Sequence, residues 1–324
     1  MKAQAQEAYA ALSNNNTTLT FYYDNHKSSR NGMSIGPFAN RKERGWYNMN
    51  ITSVVFDDSF ANAIDITSTA WWFDECEDLS SIVGIGNLRT DNVTDMTGMF
   101  VECENLTSLD LSSFNTQKVM SMSMMFAGCE KLTNLYISSF NTENVIEMWS
   151  MFEDCKKIQS IDVSSFNTSN VKDMRYMFAD CDLLNEVDIS NFNTCNVINM
   201  RNMFAGDDML TTIYVSETWN TELIDEENGQ RMFNYCSNLV GGSGTRWDEK
   251  HIDYTYAHVD GGASNPGYLT YKKYCNPTVI KTTHETFSQQ ADCYNLNGIK
   301  LSGNSSKGIY LRNGKKYVIT GTGF

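Results

Sequence analysis

A methionine-phenylalanine pair recurs every 26 residues along the middle of the 324-residue chain, at Met99-Phe100, Met125-Phe126, Met151-Phe152, Met177-Phe178 and Met203-Phe204. Other columns keep the same step. Leu106, Leu132, Ile158, Leu184 and Leu210 form one, Leu109, Leu135, Ile161, Val187 and Ile213 the next, and Phe-Asn-Thr corners come after them at 114–116, 140–142, 166–168 and 192–194. Self-similarity at such a period means a stack of equivalent units, each contacting only its neighbours, and it excludes a single compact core. One unit buries too little apolar surface to offset the ordering of its own backbone, so stacking must supply the rest.

Each column has a physical task. The L-x-x-L-x-L stretch alternates apolar and polar residues with period two, as a strand does with one face on a core. Past the corner, Val119, Met122, Met125 and Phe126 put apolar groups on one face of a short helix or of successive turns, and 118–127 is expected to be the helical side. Asn115, Asn141, Asn167 and Asn193 are expected to stack as a ladder bonding neighbouring coils or the turning backbone, with the adjacent threonine capping the helical segment. The fold class is therefore an α/β repeat solenoid, a leucine-rich-repeat-like, right-handed array of coils of about 26 residues, each a parallel strand plus a helical turn.

The chain falls into four segments. Residues 1–50, with Leu19 to Tyr23 as a strand, read as an N-terminal β cap; 51–245 are the solenoid; 246–274, with the turn chemistry of Asp260-Gly261-Gly262 and Asn265-Pro266-Gly267, are a C-terminal cap loop. Residues 275–324 read as a small β-hairpin module, because Asn297-Gly298 and Asn313-Gly314 sit between short alternating runs. Cys275 and Cys293 are a possible disulfide within it.

Charge narrows the partners. The formal net charge is −14, and Lys300, Lys307, Arg312, Lys315 and Lys316 concentrate bases at the C-terminal end, so the rest of the chain is more acidic still. Such a body repels phosphate backbones, which excludes nucleic acid as an expected partner. No apolar run reaches the twenty or so residues a membrane helix requires. The opening Met1-Lys2-Ala3-Gln4-Ala5 lacks a charged and then apolar leader, so the chain is expected to be a mature form whose signal peptide has been removed.

The units Leu106 to Phe126, Leu132 to Phe152 and Ile158 to Phe178 resemble the 26-residue bacterial surface-protein repeat, a leucine-rich-repeat relative grouped with BspA-like proteins. The flanking Leu19 to Asp24 and Asp260 to Tyr271 are similar to segments bordering such arrays, and the tail from Tyr294 resembles bacterial secretion or sorting modules. That resemblance implies a secreted or surface-displayed protein of a host-associated bacterium, extracellular, with adhesion as its role and no catalytic residues to carry across.

Candidate chemistry is sparse. Cys103, Cys129, Cys155 and Cys181 share a column with Cys76 and Cys236, while Asp207 takes that place in one coil. Parallel Cβ vectors do not make disulfides, and without C-x-x-C spacing no metal ribbon forms, so buried free thiols are expected. His26, His251, His258 and His284 all lie outside the regular coils, which leaves no Ser-His or Cys-His pair within the array. Asp162 and Asp188 fall one coil apart, as in a retaining glycosidase, but an open sheet face does not exclude water. Neither an enzyme nor a cofactor or metal is expected.

The expected ligand-binding surface is the strand face, where Asp110, Tyr136, Asp162, Asp188 and Tyr214 form one column and Ser160 and Glu186 belong to the next. The function expected is a non-catalytic scaffold, a monomer, that recognises a host or bacterial surface protein or glycan. A structural spacer without a specific ligand is the other reading.

Overall fold

The computed structural model describes residues 5–274, and beyond them only the backbone of four short strands. The chain divides into two units, 1–274 and 275–324. In the first, β1 (Glu7–Ser13) and β2 (Thr18–Asp24) form an antiparallel hairpin, and β2 pairs in parallel with β3 (Ser53–Phe56), which pairs with β4 (Ser81–Val83). β5 (Ser108–Asp110) and β6 (Asn134–Tyr136) pair in parallel, as do β7 (Glu186–Asp188), β8 (Thr212–Val215) and β9 (Leu269–Tyr271). The partners Ser108↔Asn134 and Glu186↔Thr212 reproduce the sequence period, so equivalent residues do lie in register.

The core is one continuous cluster from Ala10 to Leu269. Its axis is a column of phenylalanines: Phe100, Phe126, Phe152, Phe178, Phe204 and Phe233 stack ring upon ring, with centroids 5.7 Å apart and planes within 10° between Phe126 and Phe152. Beside them Met99, Met125, Met151, Met177 and Met203 are fully buried, their unbranched thioethers filling the gaps between rings. At the N-terminal end Phe21 stacks on Trp72 at 4.9 Å and meets Trp46 edge-on, closing the first coil. At the other end Tyr268 meets Phe233 edge-on at 5.3 Å, and the indoles of Trp219 and Trp247 donate to the carbonyls of Ala257 and Phe233.

The helical side expected over 118–127 is absent: the described residues contain no α-helix, only 3-10 turns. Apolar spacings of three fit successive turns as well as a helix, and the backbone takes the turns. Met124 (φ 54) and Gly128 (φ 72) are left-handed, as are Ser150, Asp154, Tyr176, Asp180 and Asn202 in the later coils. Each left-handed residue swings its amide out of the helical direction. Alternate N–H groups then point along the stack: Met122, Met124, Phe126 and Gly128 donate to the carbonyls of Glu147, Trp149, Met151 and Glu153 in the next coil. Between them, Met125, Ala127 and Cys129 close turns onto Met122, Met124 and Phe126. A helix would spend all these amides inside one coil and leave the coils joined on a single side.

The turn side is consequently the unbroken one. Bridges run Ser68↔Asp95↔Ser121↔Glu147↔Asp173↔Asn199 without a gap. On the strand side the sheet parts between β4 and β5, and again where Gln159 to Asp162 make no backbone hydrogen bond with either neighbouring coil.

The corner residues join coils too. Thr116 Oγ1 donates to the Asn141 carbonyl at 2.8 Å while accepting from the Asn141 amide at 2.7 Å, and Thr142, Thr168 and Thr194 repeat the exchange. Each threonine is buried and bonds to the next coil, in place of the helix cap that the spacing predicts. Asn115, Asn141, Asn167 and Asn193 accept from the amide two residues on, holding the turning backbone.

In the second unit β10 (Cys293–Tyr294), β11 (Lys300–Leu301), β12 (Gly308–Arg312) and β13 (Lys315–Ile319) form an antiparallel sheet, with Arg312 opposite Lys315 across 313–314. The Asn297-Gly298 turn and the Cys275–Cys293 disulfide lie outside the described residues.

Candidate interaction faces

The strand-face column is displayed as a row, but most of its members already have work. Asp110 Oδ1 accepts from the Ser112 amide at 3.0 Å, Asp162 Oδ1 from the Ser164 amide at 3.1 Å and Asp188 Oδ1 from the Ser190 amide at 3.1 Å. These are turns in which the carboxylate satisfies an amide leaving the strand. The Ser112 hydroxyl and amide hold the Asp110 carboxyl below its usual range. Partial burial opposes ionisation of Asp188, yet the Lys272 ammonium at 2.6 Å, with Ser190, still lowers its pKa. The same ammonium sits 4.9 Å from the Tyr214 ring centroid, so the C-terminal end of the face is covered by the chain itself. Tyr136 is 55% exposed, and Ser160, Asp162 and Glu186 are exposed. Ser160 and Asp162 lie in the unpaired stretch, so they are held less firmly than Asp110 and Tyr136, which sit opposite one another in β5 and β6.

The cysteine column is internal. Cys129 Sγ donates to the Phe100 carbonyl of the preceding coil at 3.2 Å, and Cys103, Cys155, Cys181 and Cys236 do likewise to Phe73, Phe126, Phe152 and Phe204. All are free and buried, and burial pushes the Cys129 thiol up to about 12. Asp207 occupies the same column fully buried: its Oδ1 accepts from the Cys181 amide at 2.9 Å and its Oδ2 has no partner. Burial, with Asp180, Asp182 and Asp208 nearby, raises its carboxyl well above the ordinary range.

Two clusters have ligand-type residues. The carboxylates of Glu153, Asp154 and Asp180 come within 4.8 Å of one another, close enough to share a cation, and Lys156 Nζ at 3.6 Å from Asp154 supplies positive charge there. In the C-terminal cap the Asp260 carboxylate is saturated by the amides of Ser243, Thr245 and Gly262 and by the Thr245 hydroxyl. His251 stacks on Tyr256 at 4.4 Å and His258 Nδ1 meets the Val259 carbonyl, so the three residues serve the cap's own structure.

The turn side carries a further surface, outside the strand face that the sequence points to. Met120 and Ile198 are each 50% exposed, Ile146 is half-buried, and between Lys118 and Lys172 lies a shallow depression of about 520 Å³. Next to it the Arg175 guanidinium lies 4.9 Å from the Trp149 ring centroid. Its signal in the sequence is an apolar residue directly after a core valine, at Val119-Met120, Val145-Ile146 and Val197-Ile198, where alternation turns the second side chain outward.

Coils joined by one strand-side ladder and one turn-side ladder, with open faces on both, define a parallel-strand repeat array. The chain belongs to the family described as "Mycoplasma protein of unknown function, DUF285", whose pattern matches twice in tandem, over residues 67–161 and 155–265. Among solved structures it is similar to a leucine-rich repeat protein of Eubacterium ventriosum, 14% identical over 73% of this chain and 84% of that one, with a TM-score of 0.21. It is also similar to a leucine rich cell surface protein of Faecalibacterium prausnitzii, 15% identical over 84% and 96% of the two chains, with a TM-score of 0.25. No curated protein matches the chain. No helix among the described residues is long and apolar enough to cross a membrane.

Proposed function

We propose that this protein is a non-catalytic recognition scaffold, secreted or displayed on a bacterial surface, that holds a host or bacterial surface protein or glycan through its strand face. The observation carrying the proposal is registration. A core without branch or gap fixes each coil against the next, and within the paired strands β5–β6 and β7–β8 exposed side chains are presented at a set spacing of about 4.8 Å per coil, on a surface already ordered before any partner arrives. Tyr136 is the anchor of this reading, an amphipathic ring 55% exposed beside Asp110. The kinship with BspA-like surface repeats and the extracellular location belong to the same proposal.

The test is capture of immobilised host matrix proteins and glycans by the full chain and by its Tyr136→Ala, Tyr214→Ala variant. At least one ligand is expected to bind the parent about tenfold more tightly than the variant, the loss of one interface anchor. Equal capture by both discards the strand face, and capture by neither leaves the spacer reading in its place.

A further inference from the structure

We propose that the turn-side face built by residues 117–124, 143–150, 169–176 and 195–202 docks an acidic polypeptide segment that also carries apolar side chains. The proposal rests on the recognition-scaffold reading and adds to it a second contact surface, on the side opposite to the strands within each coil.

Three observations carry it. First, this is the face whose coils are joined without interruption. Met120, Ile146, Lys172 and Ile198 donate their amides to the carbonyls of Thr94, Met120, Ile146 and Lys172 in the preceding coils. Those backbone donors are consumed, so a partner is recognised by side chains and not by strand addition. Second, the outward side chains are the kinds that interfaces favour. Met120 and Ile198 are half-exposed aliphatic groups, Ile146 lines the depression of about 520 Å³, and Trp149 is braced by Arg175.

Third, the charge is complementary to an acid. The four segments hold Lys118, Lys172, Arg175 and Arg201 against Glu143, Glu147 and Asp173, a balance of +1 on a chain of −14. Asp173 is already tied to Arg175 at 3.4 Å, a pair that cancels one charge of each sign and leaves the balance at +1. Arg201 has no ion-pair partner among the described residues. No acid lines the depression itself, which has Lys118 and Lys172 at its margin. Carboxylates of a partner would meet those lysines while its apolar side chains cover Met120 and Ile146. Thr94, Asn144 and Asn170 also line the depression, but each already donates to a carbonyl of the preceding coil, at Thr67, Gln117 and Glu143, and the aliphatic Met120 and Ile146 between them favour a polypeptide with apolar side chains over an acidic polysaccharide.

The experiment titrates the full chain at low salt with a soluble synthetic peptide of alternating glutamate and leucine, following tryptophan fluorescence and heat. Heparin serves as the polysaccharide arm. The parent is expected to bind the peptide, with affinity falling about tenfold in Lys172→Glu and in Ile146→Ser, while Lys157→Glu, which changes net charge equally from outside the four segments, binds as the parent does. Thermal melts of each variant establish that it is folded. No binding by the parent, equal binding by the parent and both face variants, or tighter binding of heparin that Lys172→Glu abolishes would each overturn the proposal. Strand-face capture is scored separately through Tyr136, so failure of the peptide titration discards the turn-side face while leaving the strand-face reading to its own result.

Discussion

Replacing Asp207 by cysteine restores the column that Cys103, Cys129, Cys155, Cys181 and Cys236 maintain elsewhere, and its effect can be worked out from the wild-type packing. The buried carboxyl has one oxygen on the Cys181 amide and the other, Oδ2, without a partner. Leaving a polar atom so costs about 1–3 kcal/mol. A thiol at this place points its proton at the Phe178 carbonyl, as its neighbours do to theirs. There is also a pH term. Because the folded pKa is raised, the native state keeps a proton that the unfolded chain releases, so stability is fullest below the unfolded value near pH 4 and falls by about 1.4 kcal/mol per pH unit as pH rises toward the folded pKa. Asp207→Cys is therefore expected to stabilise the array at pH 7 by at least about 1 kcal/mol, the low end for the unpartnered oxygen, and by less at pH 4 than at pH 7. Urea unfolding of parent and variant at both values reads the difference directly, and common titrations of other carboxyls cancel in the subtraction. A variant that unfolds at lower urea than the parent at pH 7, or a gain equal at the two pH values, would refute the account of a protonated, under-bonded acid.

Two further outcomes test the turn ladder and the thiol column. Asp154 is left-handed at φ 57 in the column where Gly128 and Gly206 stand, so Asp154→Gly is expected to raise stability by about 0.5–1 kcal/mol by relieving backbone strain and one member of an acidic cluster, read as a higher melting temperature; a lower one argues against strain at that position. Cys195 is the one exposed cysteine among the described residues, so a thiol reagent at pH 8 should lose one fast-reacting equivalent in Cys195→Ser, whereas Cys129→Ser should change the count only after denaturation. Fast labelling of Cys129 in the folded protein would contradict its burial.

Period and alternation were legible from the residues because they are properties of order along the chain. The repeat of Met-Phe, Leu and Phe-Asn-Thr implied stacked coils, an inward Phe, a buried thiol column and an outward row from Asp110 to Tyr214, and a row of equivalent atoms at equivalent heights must result once units of one length are piled together. Neither the backbone handedness of Met124, Ser150 or Tyr176 nor the direction of their neighbours' amides is written in hydrophobic spacing. A spacing of three suits a helix and a chain of turns alike, and the choice fell to whichever arrangement gave the amides of 122–128 partners in the adjoining coil. The same contacts between distant residues decided what each face has to offer. Lys272 reaches back over 84 positions to cover Asp188 and Tyr214, while the turn side, bound coil to coil throughout, leaves Met120, Ile146 and Ile198 facing water.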